Sequence, residues 1–540
     1  MSEIITIGEK IDTSWIFKDK KVETISKEFD FFDEISETST WPPFEHQRKA
    51  INSGVKKLIS DGFFALFMDM GTGKTKTTID IFSVLIHEKL ASGLIVMCPK
   101  PLMAVWEDEI PKHSSLKIAV YRWDRRTTKK AEAEYKAFMD EKGPKAFIIN
   151  IEAFQTPNDM MRSRLFSFMD NNKCFGIVDE SSYIKESSAH RTKNITKFMN
   201  RLPFRMILTG TEIVNSPLDL FAQFEAMKNG FWDVKSFYLF QLKFAILADQ
   251  YGSGGRTFKK VVGYRKLEEL LDRITPFVFR ARKEDCLDLP AKIYQVLHVE
   301  LSSAQRSAYD SLKKHLVAVL ESGEILSVAN KVSLFTKFRQ IPGGLVKIEG
   351  LDTVIEKDPP KLQALLADIA EWTGPVIVWA AFTHEILLLV ENLSKIGPTV
   401  AFYGDIKQEQ RDANVRSFQK GDARFFVGNP QSAGFGLNLQ VCHLQYVYSR
   451  HLSPAVNWQA EDRTDRMGQE HQCIYKSLVA KETVDTRIET LLESKKAIRN
   501  AFRSMSSEEV MKFQATEEEI ANPETMTVAE MVKFVGGEDF

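Results

Sequence analysis

The chain has 540 residues, of which 27 % are charged and 44 % hydrophobic, and its formal net charge is −1. That makeup belongs to a globular protein with several domains and ample core, and it excludes a disordered or collagen-like chain. No apolar run approaches the roughly 18 residues of a membrane span, and the scattered Cys98, Cys174, Cys286, Cys442 and Cys473 include no Cys-x-x-Cys pair, which argues against a disulfide framework or a cysteine zinc site.

The first stretch, 1–43, is polar and acidic and reads as a loosely docked extension. Trp41-Pro-Pro-Phe44-Glu-His46-Gln47 then sets an amide beside aromatic surface. Such an amide has a donor and an acceptor edge and can read adenine on its exocyclic amine and ring nitrogen. Phe63–Met68 is an apolar run of strand length, followed by Asp69-Met-Gly71-Thr72-Gly73-Lys74-Thr75 and a helical pattern from Lys76 to Leu90. Strand, glycine-rich turn and helix is the setting of a phosphate-binding loop. The turn Gly71-Thr72-Gly73 would close backbone N–H groups around phosphate oxygens at a helix N-terminus. Lys74 would reach the β- and γ-phosphates, and the Thr75 hydroxyl would ligate Mg2+. Met68 stands where the full motif has its first glycine.

Further strands are expected at Gly93–Cys98, Phe147–Asn150, Phe175–Asp179 and Arg205–Thr209, alternating with helices, so that 44–220 reads as a parallel α/β lobe. Asp179 and Glu180 end one of these strands. Ligands in such sheets sit beyond the carboxyl ends of the strands, so Asp179 would hold Mg2+ and Glu180 would orient and activate water. A surface turn could begin with the same two residues. The turn Thr209-Gly210-Thr211 could sense the γ-phosphate, or simply close a strand.

From 221 to 360 the pattern reads as amphipathic helical insertions and a linker. The α/β rhythm returns in 361–482, with strands expected at Val376–Ala380, Thr399–Phe402, Arg424–Val427, Leu444–Tyr448 and Ile474–Val479. Here Gly434-Phe-Gly436-Leu-Asn438 would let a backbone approach nucleotide or phosphate, unless it is a plain tight turn. Near its end runs Gln459-Ala-Glu-Asp-Arg463-Thr-Asp-Arg466-Met-Gly-Gln469. On a helix, arginines three apart share a face, where they could stabilise charge on a transferring phosphoryl group. The last stretch, 483–540, reads as a helix and an acidic tail. Basic clusters at Tyr121–Lys130 and Lys185–Lys193 could meet nucleic-acid phosphate, and are equally readable as solvated surface.

In their order these segments resemble the motifs of the Swi/Snf-type ATP-dependent DNA translocases, a branch of the superfamily-two helicases, in a compact prokaryotic or viral form. Leu94–Pro99 with Trp106 and Glu109-Ile110, Leu208–Leu220, Phe279–Asp285, Leu301–Gln305 with Tyr309, and Tyr403-Gly-Asp405 with Arg411 carry the likeness beside the loops above. The resemblance implies two RecA-like doubly wound parallel-sheet lobes with helical insertions between them, ATP and Mg2+ as cofactors, and movement along double-stranded DNA. It implies Gln47 on adenine, Gly71, Thr72, Gly73, Lys74, Thr75 and Gly436 around the nucleotide, and Thr75 and Asp179 on the metal. It also implies Lys74, Glu180, Arg463 and Arg466 in catalysis, and Lys100, Thr209, Gly210, Thr211 and Asn438 along the DNA track or coupling it to the site. The 483–501 helix would be the family's brace.

Ser181-Ser182 replaces the usual Ala-His after Asp-Glu, and Glu212 replaces the proline of Thr-Gly-Thr-Pro, which should loosen that turn. A monomer in the cytoplasm is expected (host cytoplasm or nucleoid for a viral chain), with no membrane association. The alternatives are a strand-separating DNA or RNA helicase and a non-hydrolysing DNA-binding scaffold. Repair, replication restart, recombination and displacement of bound protein are all open as settings.

Overall fold

Phe63–Met68 forms β1, and all six of its residues are buried. A continuous apolar run of this kind fits a strand covered on both faces, the usual condition of a central parallel strand. The structure is a computed structural model that describes residues 35, 37–251, 257–286, 289–322, 328–348, 351–432, 437–466, 468–504, 531–532 and 534–535. Two compact units divide the chain: Met1–Phe244 with Glu268–Cys286, and Ala245–Leu267 with Leu287–Phe540.

In the first unit β2 (Gly93–Cys98), β3 (Ala119–Arg122), β4 (Lys145–Asn150), β5 (Cys174–Asp179) and β6 (Phe204–Thr209) follow β1. An antiparallel hairpin, β7 (Ala245–Tyr251) and β8 (Thr257–Tyr264), belongs to the second unit. The chain then returns to the first unit as β9 (Val278–Ala281). The sheet order is β3-β4-β2-β5-β6-β1-β9, and every neighbouring pair is parallel. Leu202 packs closely over Gly176 of β5, where a Cβ would lie 2.1 Å from Leu202 Cδ1 and would make that side chain shift.

The second unit contains β10 (Ile293–Val299), a hairpin of β11 (Leu345–Ile348) and β12 (Leu351–Val354), then β13 (Val376–Trp379), β14 (Thr399–Phe402), β15 (Phe425–Gly428), β16 (Leu444–Val447) and β17 (Ile474–Ala480). Its main sheet runs β10-β17-β16-β13-β15-β14, again wholly parallel. Val376 and Val378 of β13 enter one core cluster while Ile377 and Trp379 enter another. Side chains alternate across a strand, so β13 is buried on both faces. The expected class, two doubly wound parallel sheets, is therefore the observed one.

The helical reading of 221–360 needs correction. That stretch supplies β9 to the first sheet and β10 to the second, besides two hairpins. Both sheet strands are border strands and only partly buried, so neither shows the continuous apolar run that marks β1. The 1–43 extension lies outside the described residues except for 35 and 37–43. Of the acidic tail beyond the helix, Met531, Val532, Phe534 and Val535 are described; Met531, Val532 and Val535 are buried in a cluster with Tyr309, Phe335, Phe338 and Ile488, and Phe534 packs against it. This part of the tail is docked.

A buried polar network ties the second sheet to the helix Val484–Ser504. Arg450 donates to both oxygens of Glu489 at 2.9 and 2.8 Å, to Glu461 at 2.9 Å and to Ser477 Oγ at 2.8 Å. Buried ions of this kind are tolerated only when each donor and acceptor is matched. Nearby, Lys361 pairs with Asp485, and the Ser449 hydroxyl donates to the fully buried Glu385. Burial pushes the Glu385 carboxyl from its ordinary 4.5 up to about 7, against the opposing pull of Ser449 and Lys361.

The folded chain thus keeps a proton on Glu385 that the unfolded chain releases. The stability this gives is fully present below about pH 4.5 and is lost as pH rises through about 7. Glu385→Gln should leave the melting temperature nearly unchanged at low pH. In mildly alkaline buffer it should stabilise by at most about 3 kcal/mol. Calorimetry at the two pH values checks this, and an equal effect at both would refute it.

Candidate nucleotide-binding site

Because every strand of the first sheet runs the same way, the turns after β1, β2, β5 and β6 all leave from one edge. After β1 the chain turns through Gly71 (φ 84°) and Gly73 (φ 89°), left-handed conformations that favour glycine. The helix Lys74–His87 therefore starts at Lys74, earlier than the expected Lys76. Lys74 Nζ donates to the Met68 carbonyl at 2.9 Å and to that of Asp69 at 3.4 Å. Asp69 is pinned in turn by Lys283 N, 3.0 Å from its Oδ2. Thr75 stands half-buried in the first helical turn.

Gln47 packs onto this loop. Its Nε2 donates to the Thr72 carbonyl at 3.1 Å and its Oε1 accepts from Phe44 N at 3.1 Å. His46 Nε2 lies 2.9 Å from the same carbonyl, and Thr72 Oγ1 donates to Asp69 O at 2.7 Å. The amide expected on adenine thus engages the protein through both edges and fastens the phosphate loop to the helix Glu45–Asp61.

β5 ends in Asp179, whose Oδ2 accepts from Trp106 Nε1 at 2.8 Å and whose Oδ1 accepts from Glu180 N at 2.9 Å. Burial raises the Asp179 carboxyl above the usual range, while the indole donor and the Lys74 charge pull it down. Glu180, also buried, adopts φ 54°, a strained region for a residue with a side chain. Ser181 Oγ donates to Gln223 Oε1 at 2.6 Å.

β6 ends in Thr209, whose hydroxyl accepts from Thr211 N at 2.9 Å. A Cβ on Gly210 would lie 3.2 Å from Met68 O and 3.3 Å from Lys74 Nζ, so this turn lies directly against the phosphate loop. Glu212 does not loosen it. Gln223 Nε2 donates to the Glu212 carbonyl at 2.8 Å, and Asp219 Oδ2 accepts from Val214 N and Asn215 N at 2.9 and 2.8 Å. Lys100 is exposed just beyond β2, apart from this cluster of bonds.

In the second unit the helix Pro454–Glu461 stops before both arginines, which is a further correction. The chain tightens through Arg463 N to Ala460 O at 3.2 Å, and the arginine side chains cap the end themselves. Arg463 Nε donates to Gln459 O at 2.9 Å and Arg466 Nε to Asp462 O at 3.1 Å. Arg463 is buried and Arg466 half-buried; burial holds the Arg466 guanidinium below its ordinary value. Sequence reasoning missed what fixes this turn. Gln445, a lone amide within the apolar β16, accepts from Trp379 Nε1 at 2.6 Å and donates to Glu461 O at 3.1 Å and to Thr464 Oγ1 at 2.5 Å. Leu439 N donates to Arg463 O at 3.0 Å, which joins the exposed Asn438 segment to the arginine turn. Gly436 lies outside the described residues.

Among the described residues no cluster of three or more His, Cys, Asp or Glu could cage a metal ion. Asp179 and Thr75 instead offer one carboxylate and one hydroxyl, the sparse oxygen set with which Mg2+ is held beside phosphates and water.

Gly73 is the most constrained position in the loop, since a Cβ there would lie 2.1 Å from Gln47 Nε2. Gly73→Ala should weaken nucleotide binding at least about tenfold, through strain and displacement of Gln47, with the circular dichroism of the chain unchanged. Titration with a fluorescent nucleotide measures it, and wild-type affinity would refute the role of this contact.

Residues 46–342 match the SNF2-related domain and residues 349–468 the helicase conserved C-terminal domain. The chain is 24 % identical to an uncharacterized ATP-dependent helicase of Mycoplasma genitalium, covering 86 % of this chain and 44 % of that protein. It is 24 % identical to the putative ATP-dependent helicase/translocase YwqA of Bacillus subtilis, over 82 % of this chain and 46 % of the relative. It thus spans less than half the length of these curated relatives. A solved structure described as the Sulfolobus solfataricus SWI2/SNF2 ATPase core in complex with dsDNA aligns with 89 % of this chain and 98 % of its own, at 22 % identity and a TM-score of 0.38. The SNF2-related match alone takes in more than half of the residues, and the chain belongs to the SNF2 family of helicase-type, ATP-dependent enzymes.

Proposed function

We propose that this chain couples ATP hydrolysis to movement along duplex DNA. The observation that carries the reading is the meeting of Lys74, the buried Asp179–Glu180 pair and the Gly210 turn at one edge of a parallel sheet, in a chain of this family. Lys74 exchanges its carbonyl partners for the β- and γ-phosphate oxygens. Glu180 accepts a proton from the attacking water as the terminal P–O bond breaks to give ADP and phosphate. Asp179 and Thr75 are the residues to hold Mg2+, which supplies charge neutralisation on the phosphates when bound. Arg463 and Arg466 supply positive charge to the transferring phosphoryl group.

For the nucleic acid, Lys100 and Asn438 are assigned to the DNA track and Thr209–Thr211 to its coupling with hydrolysis. The translocase name of the Bacillus subtilis relative supports movement as the output.

ATP turnover should be stimulated more by duplex DNA than by single-stranded DNA or RNA, with no labelled strand released from a forked duplex. Strand release would instead favour the helicase alternative. Lys74→Ala should abolish turnover. Arg466→Ala should lower kcat at least about a hundredfold while nucleotide affinity stays within about threefold of wild type. Normal turnover in the Arg466 variant would remove that residue from the catalytic set.

A further inference from the structure

Gln223 is fully buried in the short helix Leu220–Met227, among the apolar side chains of Leu220, Phe221 and Phe224. A buried amide in such a place is costly unless each of its groups finds a partner. Gln223 finds three. Its Oε1 accepts from Ser181 Oγ at 2.6 Å, and its Nε2 donates to the carbonyls of Glu212 at 2.8 Å and Asp219 at 2.9 Å. One side chain therefore spans the turn after β5, which carries Asp179 and Glu180, and the turn after β6, which carries Thr209 to Glu212.

Ser181 is the residue directly after Glu180, whose backbone is held at φ 54°. A left-handed non-glycine residue persists only where its surroundings fix it. The adjacent Tyr183 N–H donates to the Glu180 carbonyl at 2.9 Å, and the Ser181 hydroxyl anchors the other side of the same turn. Gln223 is the group that the Ser181 hydroxyl serves.

We infer that Ser181 and Gln223 form a positioning pair that sets the orientation of Glu180 and links it to the Thr209–Glu212 turn. Neither residue belongs to the set assigned above to nucleotide or metal. The pair acts by holding Glu180 in its strained conformation and by moving that residue when the neighbouring turn moves. The inference rests on the reading of Glu180 as the residue that activates water. Orientation errors of an ångström in such a group are worth up to about a hundredfold in rate.

A double-mutant cycle tests it, with full-length wild type, Ser181→Ala, Gln223→Leu and the double variant compared for melting temperature and for ATP turnover with and without duplex DNA. Ser181→Ala takes the donor from Gln223 Oε1, and Gln223→Leu takes the partner from the Ser181 hydroxyl and from the Glu212 and Asp219 carbonyls; each should lower the melting temperature by about 2–6 °C, the second by more. The double variant should melt no lower than Gln223→Leu alone, because position 181 then has no hydroxyl to satisfy, while the Glu212 and Asp219 carbonyls lose their amide donor in both. Its kcat should nonetheless stay about tenfold below wild type, with KM for ATP within about threefold.

Melting losses that are less than additive in the double variant, with kcat still about tenfold low, support the pair as a positioning device. Wild-type kcat in Ser181→Ala or in the double variant shows that the bond serves packing alone and overturns the inference. Wild-type turnover that duplex DNA leaves unchanged would overturn the translocase reading separately, and the pair would then be judged by the same criteria on basal kcat.

Discussion

Parallel strand pairing is the constraint on which the rest of the first unit depends. In a parallel sheet each chain reversal requires a crossover, so all carboxyl ends emerge on one side. Residues as distant as Lys74, Asp179 and Gly210 become neighbours by this rule alone, because β1, β5 and β6 are adjacent and point the same way. The turns leaving that edge are then free to be strained. Gly71, Gly73 and Glu180 all take positive φ where the chain departs from the sheet. Polar bonds such as Gln47 Nε2 to Thr72 O and Ser181 Oγ to Gln223 Oε1 fasten these turns.

Those bonds follow a common plan. Gln47, Gln223 and Gln445 are each buried amides that bond to a backbone carbonyl in a loop or at a helix end. An amide is neutral, so it can be buried without the desolvation cost of an ion, yet it still supplies a donor and an acceptor to stranded backbone groups. Gln47 secures the glycine turn after β1, Gln223 bridges the turns after β5 and β6, and Gln445 bonds to the last carbonyl of the helix that precedes Arg463. The charged network around Arg450 does comparable work at the helix Val484–Ser504, where four acceptor atoms surround one guanidinium.

Much of this was legible in the sequence, for identifiable reasons. β1, β2 and β5 are buried at every position, and an apolar run bounded by turn residues reads as a central strand without further information. The glycine-rich loop and the Asp-Glu strand end announce themselves by residue type. β9 and β10 did not, because border strands are half-exposed and their pairing partners lie far away in sequence. The arginine turn was misread as helix since a three-residue spacing fits a helix equally well as a turn whose carbonyls are capped by those same arginines. A lone glutamine inside Phe221–Phe224 or inside β16 is the one signal that pointed to the bridging amides. It gains meaning only once the distant carbonyl it serves is known.

β9 carries a consequence for how such a chain is made. It completes the border of the first sheet beside β1, but it is encoded after the β7–β8 hairpin, which belongs to the second unit. During synthesis the ribosome must therefore deliver part of the second unit before the first can close its sheet. Until residues 278–281 emerge, the outer edge of β1 offers unpaired N–H and C=O groups, an invitation to mispair with other strands. Folding of the two units is thereby interleaved in time. A substitution that weakens β9 would lower the yield of folded protein more than its small size implies.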